Sequence, residues 1–137
     1  MTPPADELRA LLRKARTIAV VGLSPKPIRP SHSVARYLQK AGYRVVPVNP
    51  GHREILGEQA YPTLAAAAQD HPIDVVNVFR RSELAGAVVD EAIPLHPQLI
   101  WLQLGIVDSA AAARAGAAGI PFVMDLCLAI EHRHLEV

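Results

Sequence analysis

Thr17 to His32 reads "TIAVVGLSPKPIRPSH". The first seven residues, Thr17 to Leu23, are a continuous run rich in β-branched residues. A strand apolar on both faces belongs inside a parallel sheet covered by helices on both sides. The run then meets Gly22, as a nucleotide-binding turn does. The rest of a G-x-G-x-x-G fingerprint is absent, however. After Gly22 come Pro25, Pro27 and Pro30, with Lys26 and Arg29 among them, and no second glycine. The stretch therefore predicts a parallel α/β sheet, and asks which phosphate-bearing ligand its first turn holds.

The flanking sequence repeats the strand-then-helix rhythm. Before the stretch, Leu8, Leu11, Leu12 and Ala15 recur at one helical face. Pro3 and Pro4 open that face, so residues 1–16 predict an N-terminal cover helix. After the stretch, Val34, Tyr37, Leu38 and Ala41 repeat the helical spacing, with Ser31 as expected N-cap and Gly42 as stop. "YRVVPVNP" (Tyr43–Pro50) predicts a second strand. Pro47 fits there only at a strand end or bulge, because it has no N–H for a ladder bond. A loop follows, then a short Ala-rich helix near Thr63–Gln69.

"IDVVNVFR" (Ile73–Arg80) predicts the third strand. Ser82 is the expected cap of the next helix, whose inner face carries Ala85, Val88, Val89 and Ala92. "PQLIWLQLG" (Pro97–Gly105) predicts the fourth strand, with Asp108 capping an Ala-rich helix beyond it. "IPFVMD" (Ile120–Asp125) predicts the fifth, and "LCLAIEHRHL" closes the chain. Right-handed crossovers turn this order into one α/β domain spanning 1–137. It has a Rossmann-like, doubly wound, five-stranded, mainly parallel sheet with helices on both faces.

Composition excludes several classes. The 137 residues carry 14 basic and 13 acidic side chains, a formal net charge of +1. That balance is unlike a general nucleic-acid binder. Cys127 is the single cysteine, so no internal disulfide forms, in keeping with a reducing cytoplasm. The N-terminal sequence lacks the apolar core of a signal peptide. No apolar run reaches the ~18 residues that span a bilayer. The expectation is a soluble cytoplasmic protein with no nucleic-acid or membrane partner.

Ligands of open parallel sheets sit beyond the carboxyl ends of the strands. The candidate site residues are therefore those that follow each strand. At the first tip, Gly22, Ser24, Lys26, Arg29, Ser31 and His32 surround a helix N-terminus, whose free N–H groups and partial positive charge favour phosphate. A proline-stiffened loop with ordinary surface charges is the plainer alternative. At the second tip, Asn49 and Pro50 stand where NAD-binding domains usually place a carboxylate for the ribose hydroxyls. The first acid is Glu54, which counts against NAD. Asn49 suits either a base or sugar contact or a turn before Pro50.

At the third tip, Phe79, Arg80 and Arg81 offer a ring and two guanidinium groups, suited to bidentate phosphate contact or to a solvated helix entrance. At the fourth, Gln103 is the site-facing candidate, and Trp101 reads as core. Catalytic candidates are poor. "GLSPK" is not a G-x-S-x-G nucleophile turn. His132 and His134 join no zinc-like set and read as surface residues. Cys127 reads either as a buried structural cysteine or as a thiol beside a ligand.

Several of these stretches together resemble a family. "VVGLSPKPIRPSHSVARYLQKAGYRVVPVNP", "GEQAYPTLAAA", "DVVNVFRRSE", "WLQLGI" and "MDLCLAIEH" resemble the small single-domain CoA-binding proteins of bacteria and archaea. These look like a free-standing CoA-binding domain of the succinyl-CoA synthetase α subunit. The resemblance runs from about Thr17 to His134. It implies coenzyme A, or an acyl-CoA, bound at the strand tips. Gly22, Ser24, Arg29 and Ser31 match the first-loop pattern, Val48-Asn49-Pro50 the second tip, and Phe79-Arg80-Arg81 the third. Relatives tend to read M-D-R-C followed by a lysine. Here Leu126 replaces that arginine and Ala129 that lysine.

The synthetase's catalytic histidine lies in a following ligase domain, to which nothing here corresponds. The expectation is therefore binding without catalysis, with no catalytic residue and no metal site. A basic rather than acidic ribose end also suits the 3′-phosphate of CoA. Three alternatives stay open: an NAD(P)-binding oxidoreductase-like domain, a regulatory or partner subunit of a CoA-using enzyme, and a redox role pairing Cys127 with the CoA thiol.

Overall fold

The computed structural model describes residues 2–137. Met1, the first residue of the expected cover-helix segment, lies outside the described residues. The elements follow the predicted order. They are α1 (Ala5–Lys14), β1 (Thr17–Val21), α2 (Pro30–Lys40), β2 (Arg44–Val48), a hairpin of β3 (Glu54–Ile55) and β4 (Glu58–Gln59), α3 (Leu64–Asp70), β5 (Val75–Val78), α4 (Ser82–Ala92), β6 (Leu99–Leu102), α5 (Ser109–Ala117), β7 (Phe122–Val123) and α6 (Leu128–His134). The hairpin was not expected within the loop. It turns on Leu56 and Gly57, both at positive φ (55° and 75°), the two-residue geometry that matches strand twist.

The main sheet has the order β2-β1-β5-β6-β7, and every neighbouring pair is parallel. Alternation along the strands sorts the core onto two faces. Ile18, Val20, Val45, Val75, Leu99, Trp101 and Val123 pack with Leu8 and Leu12 of α1, Val34 and Leu38 of α2, and Leu128 of α6. Ala19, Val21, Val46, Val76, Val78, Ile100, Leu102 and Phe122 pack with Leu64 of α3, Ala85 and Val89 of α4, and Ala111 and Ala115 of α5. The fold is thus the α/β, Rossmann-like arrangement expected. Trp101 is fully buried, and its Nε1 donates to the Leu126 carbonyl at 2.8 Å.

Pro47 lies inside β2, not at its end, and no bulge accommodates it. β2 is the outer strand of the sheet. The Val48 carbonyl points inward and accepts from Gly22 N. The Pro47 carbonyl points outward and accepts from Tyr61 N at 3.0 Å. The N and C=O of one strand residue share a side, so the missing Pro47 N–H falls on the outer side and costs β1 no bond.

Two expected caps are reassigned. Arg29, in extended backbone, takes the N-cap position of α2, and Pro30 occupies its first turn. Ser31 lies inside the helix. Likewise Arg81, not Ser82, is the N-cap of α4, and Ser82 Oγ instead accepts from Val107 N at 3.0 Å. Asp108 caps α5 as predicted, accepting from Ala111 N at 2.9 Å. Thr63 caps α3 in the same way.

Candidate functional site

β1 leads to β2 on one side of the sheet, and the chain then returns to β5 on the other side of β1. The reversal opens a crevice at the carboxyl ends of β1 and β5. Gly22 and Phe79 stand at those two ends. Gly22 has φ +88°, and a Cβ there would collide with the Phe79 carbonyl oxygen. Only glycine lets the first turn cross this closely. A cleft of about 670 Å³ opens beyond the crossing.

The loop from Leu23 to Arg29 forms one wall and is tied at both ends. Ser31 Oγ accepts from Ser24 N at 3.0 Å, and Ser24 Oγ from Lys26 N at 3.1 Å. Asn49 Nδ2 donates to the Leu23 carbonyl at 2.9 Å, while Asn49 Oδ1 accepts from Gly51 N at 2.9 Å. Asn49 thus pins the first tip to the second and also makes the turn read from its place before Pro50.

This loop aims the start of α2 at the cleft, which Pro30, Ser31 and Val34 line. No side chain caps that helix start, so its positive end is open to an anion. Lys26 and Arg29 line the cleft beside it. Neither enters an ion pair among the described residues.

The floor is built around Gln103. Its Oε1 accepts from Asn77 Nδ2 at 3.2 Å and from Leu128 N at 3.3 Å, joining β5, β6 and the start of α6. Both bonds fall on the oxygen, so Nε2 has no hydrogen-bond partner among the described residues, and Gln103 lines the cleft. Cys127, half-buried, precedes α6 and also lines the cleft as a free thiol.

Of the predicted site residues, the cleft brings together Gly22, Ser24, Lys26, Arg29, Ser31, Asn49, Phe79 and Gln103. His32, Pro50, Arg80 and Arg81 do not line it. His32 turns into an outer hollow with Arg36, Tyr37 and Lys40. Pro50 faces a neighbouring hollow with Arg53 and Pro62. Arg81 is the N-cap residue of α4, and its exposed side chain lies 4.0 Å from Glu83. Neither Leu126 nor Ala129 borders the cleft, and Ala129 is packed into the core.

Sequence reasoning missed His52, Leu104, Ile106 and Ile130, all of which line the cleft. His52 carried a usable signal, since it stands three residues after Asn49 at a strand tip. The three aliphatic residues carried none, because their spacing does not separate a cleft wall from a core face.

His132 is not a plain surface residue. Its Nδ1 lies 2.8 Å from the Tyr37 hydroxyl, and its ring meets Tyr37 and Tyr43 edge-on. Desolvation there pushes the imidazole below its usual pKa. Burial, then the nearby Tyr37, pushes the Tyr43 phenol up to about 12. Tyr61 is raised chiefly by its hydrogen bond to Asp70. All three lie away from the cleft. Among the described residues no helix is long and apolar enough to cross a membrane, and no His/Cys/Asp/Glu group suits a metal ion.

Comparison with known proteins agrees with this architecture. The pattern of the CoA binding domain family matches residues 16–133. The Bacillus subtilis (strain 168) protein YneT is 41% identical over 130 residues, covering 95% of each chain. The structure of cell-free ID.343 from Thermus thermophilus superposes with a TM-score of 0.90 at 42% identity, covering 97% of this chain and 99% of that one. A protein of Pyrococcus horikoshii OT3 superposes with a TM-score of 0.93 at 33% identity, covering 98% and 94%.

Proposed function

The chain belongs to the CoA binding domain family, and from that premise we propose that it binds coenzyme A or an acyl-CoA, without catalysis, in the cleft at the carboxyl ends of β1, β5 and β6. The observation that carries this reading is the uncapped start of α2, open to the cleft between the unpaired Lys26 and Arg29. A diphosphate placed there accepts from the Ser31 N–H and meets the helix dipole, Pro30 having no N–H and the N–H groups of His32 and Ser33 being held by the Arg29 carbonyl. Lys26 and Arg29 neutralise it, and the hydroxyls of Ser24 and Ser31 remain able to donate.

NAD suits the same cleft less well. The first turn has a single glycine, and no carboxylate follows β2 to receive ribose hydroxyls. The exposed His52, beside Asn49, offers a basic partner instead, as a 3′-phosphorylated ribose requires.

Calorimetric titration of the ligand-stripped protein tests the reading, with CoA, NAD and NADP as parallel titrants. Saturable heat from CoA alone is expected. Arg29→Ala should weaken CoA about tenfold or more, since a charge-assisted bond contributes ~1.5–3 kcal/mol. Silence from CoA, or tighter binding of NAD, would overturn it. An Arg29→Ala variant that binds CoA as well as the parent would remove Arg29 from the site.

A further inference from the structure

Taking CoA binding as its premise, we propose that the β6–α6 end of the cleft holds the acyl chain of an apolar CoA thioester, and that it discriminates against acyl groups ending in a carboxylate. The cleft is chemically divided. Its cationic side chains, Lys26 and Arg29, belong to the loop before α2. Leu104 and Ile106, after β6, and Ile130, on α6, line the cleft too, and in the sheet β5 stands between β6 and β1, the strand that leads into that loop. Leu104 is 63% exposed and Ile130 43%. Val107, beside Ile106, is a further large apolar side chain left in water.

Large aliphatic side chains gathered at a cleft wall gain free energy when an apolar group covers them. Their position on the same cleft as the phosphate end selects the tail of the same ligand as that group. Among the described residues, the lining of the cleft holds no lysine or arginine besides Lys26 and Arg29. The charged residues nearest to the aliphatic wall in sequence are acidic, Asp108 two residues after Ile106 and Glu131 beside Ile130, and Asp125 Oδ1 accepts from Gly105 N at 2.8 Å.

Gln103 supplies the polar element an acyl thioester needs there. It is 5% exposed, and Asn77 and Leu128 both donate to its Oε1. The Nε2 that remains immediately precedes the Leu104 wall and is a donor for a thioester carbonyl oxygen. A buried amide donor beside an aliphatic wall matches a carbonyl followed by methylenes, and leaves a second carboxylate unsatisfied.

Calorimetric titration of the full chain with CoA, butyryl-CoA, hexanoyl-CoA and succinyl-CoA tests the proposal. Affinity should rise from CoA to butyryl-CoA to hexanoyl-CoA, by up to about fourfold per methylene buried. Succinyl-CoA should bind no better than CoA. In Leu104→Asn, and separately in Ile130→Asn, the ratio of hexanoyl-CoA to CoA affinity should fall toward one. Both side chains are substantially exposed, so neither change removes core packing. CoA binding with a flat acyl series, or with succinyl-CoA the tightest, overturns this inference and leaves CoA recognition standing. Silence across the whole series overturns both.

Discussion

At the scale of single residues, the shape of the cleft depends on backbone positions. Gly22 has φ +88° and no room for a Cβ against the Phe79 carbonyl. Gly22→Ala should therefore cost at least ~1–3 kcal/mol of stability, from the left-handed strain alone. The crossing of the first and third tips would have to open as well. Urea unfolding measures the loss; a midpoint equal to the parent's would show that the turn relaxes freely. Asn49 illustrates a different point. Its amide looked equally suited to a ligand or to a turn. In the fold both its oxygen and its nitrogen serve the framework, between Leu23 and Gly51. A polar residue can thus border a cleft and act chiefly by holding its wall.

At the scale of elements, helix starts divide into those closed by the side chain of their own cap residue and those, α1, α2, α4 and α6, that no such side chain closes. α3 and α5 are capped by Thr63 and Asp108. α2 has no side-chain cap and faces the cleft. Asp108→Ala should lower stability by about 1 kcal/mol, the usual worth of an N-cap. Asp108→Asn should retain most of it, because the amide oxygen still accepts from Ala111 N. Denaturant midpoints of the two variants check this, and equal losses would deny the cap its role. The helices, the five strands of the main sheet and the Asp108 cap were legible because they rest on residues near one another in sequence. The misplaced caps have a shared cause. Ser31 and Ser82 both sit one or two residues inside the helix that each was expected to open. Their hydroxyls were drawn to Ser24 N and Val107 N, contacts set by how loops cross.

At the scale of the whole molecule, α6 is clamped to the α1–α2 face through His132. Its ring lies against Tyr37 and Tyr43, and Tyr43 Oη donates to the Leu12 carbonyl at 2.6 Å. Arg133 stacks over Tyr37, and Arg13 and Arg16 share the hollow that His132 lines. The folded imidazole titrates below the unfolded value of 6.5 because it is desolvated. Well above 6.5 it is neutral in both states and makes no pH-dependent contribution. Between 6.5 and the lower folded pKa the unfolded chain binds more protons, so stability falls as pH falls. The urea midpoint should therefore drop on acidification through this window, and His132→Gln should flatten that part of the profile. An unchanged slope in the variant would assign the pH dependence to other groups.

The sequence alone determined the layered α/β class and the order of the helices and main-sheet strands. Each follows from short-range periodicity, from runs of β-branched residues, and from the rule that crossovers are right-handed. It also placed Trp101 in the core, because a large ring in an apolar strand has nowhere else to pack. Tertiary structure alone decided that Pro47 sits harmlessly on an edge strand, that Arg80 and Arg81 leave the cleft, and that Leu104, Ile106 and Ile130 enter it. Those outcomes depend on which strand is outermost and on where a side chain finds a partner distant in sequence. Asn49 reaches Leu23, and Leu128 N reaches Gln103, across 26 and 25 residues. Local patterning limits which faces are apolar, but only the packed chain determines which of those faces remains uncovered.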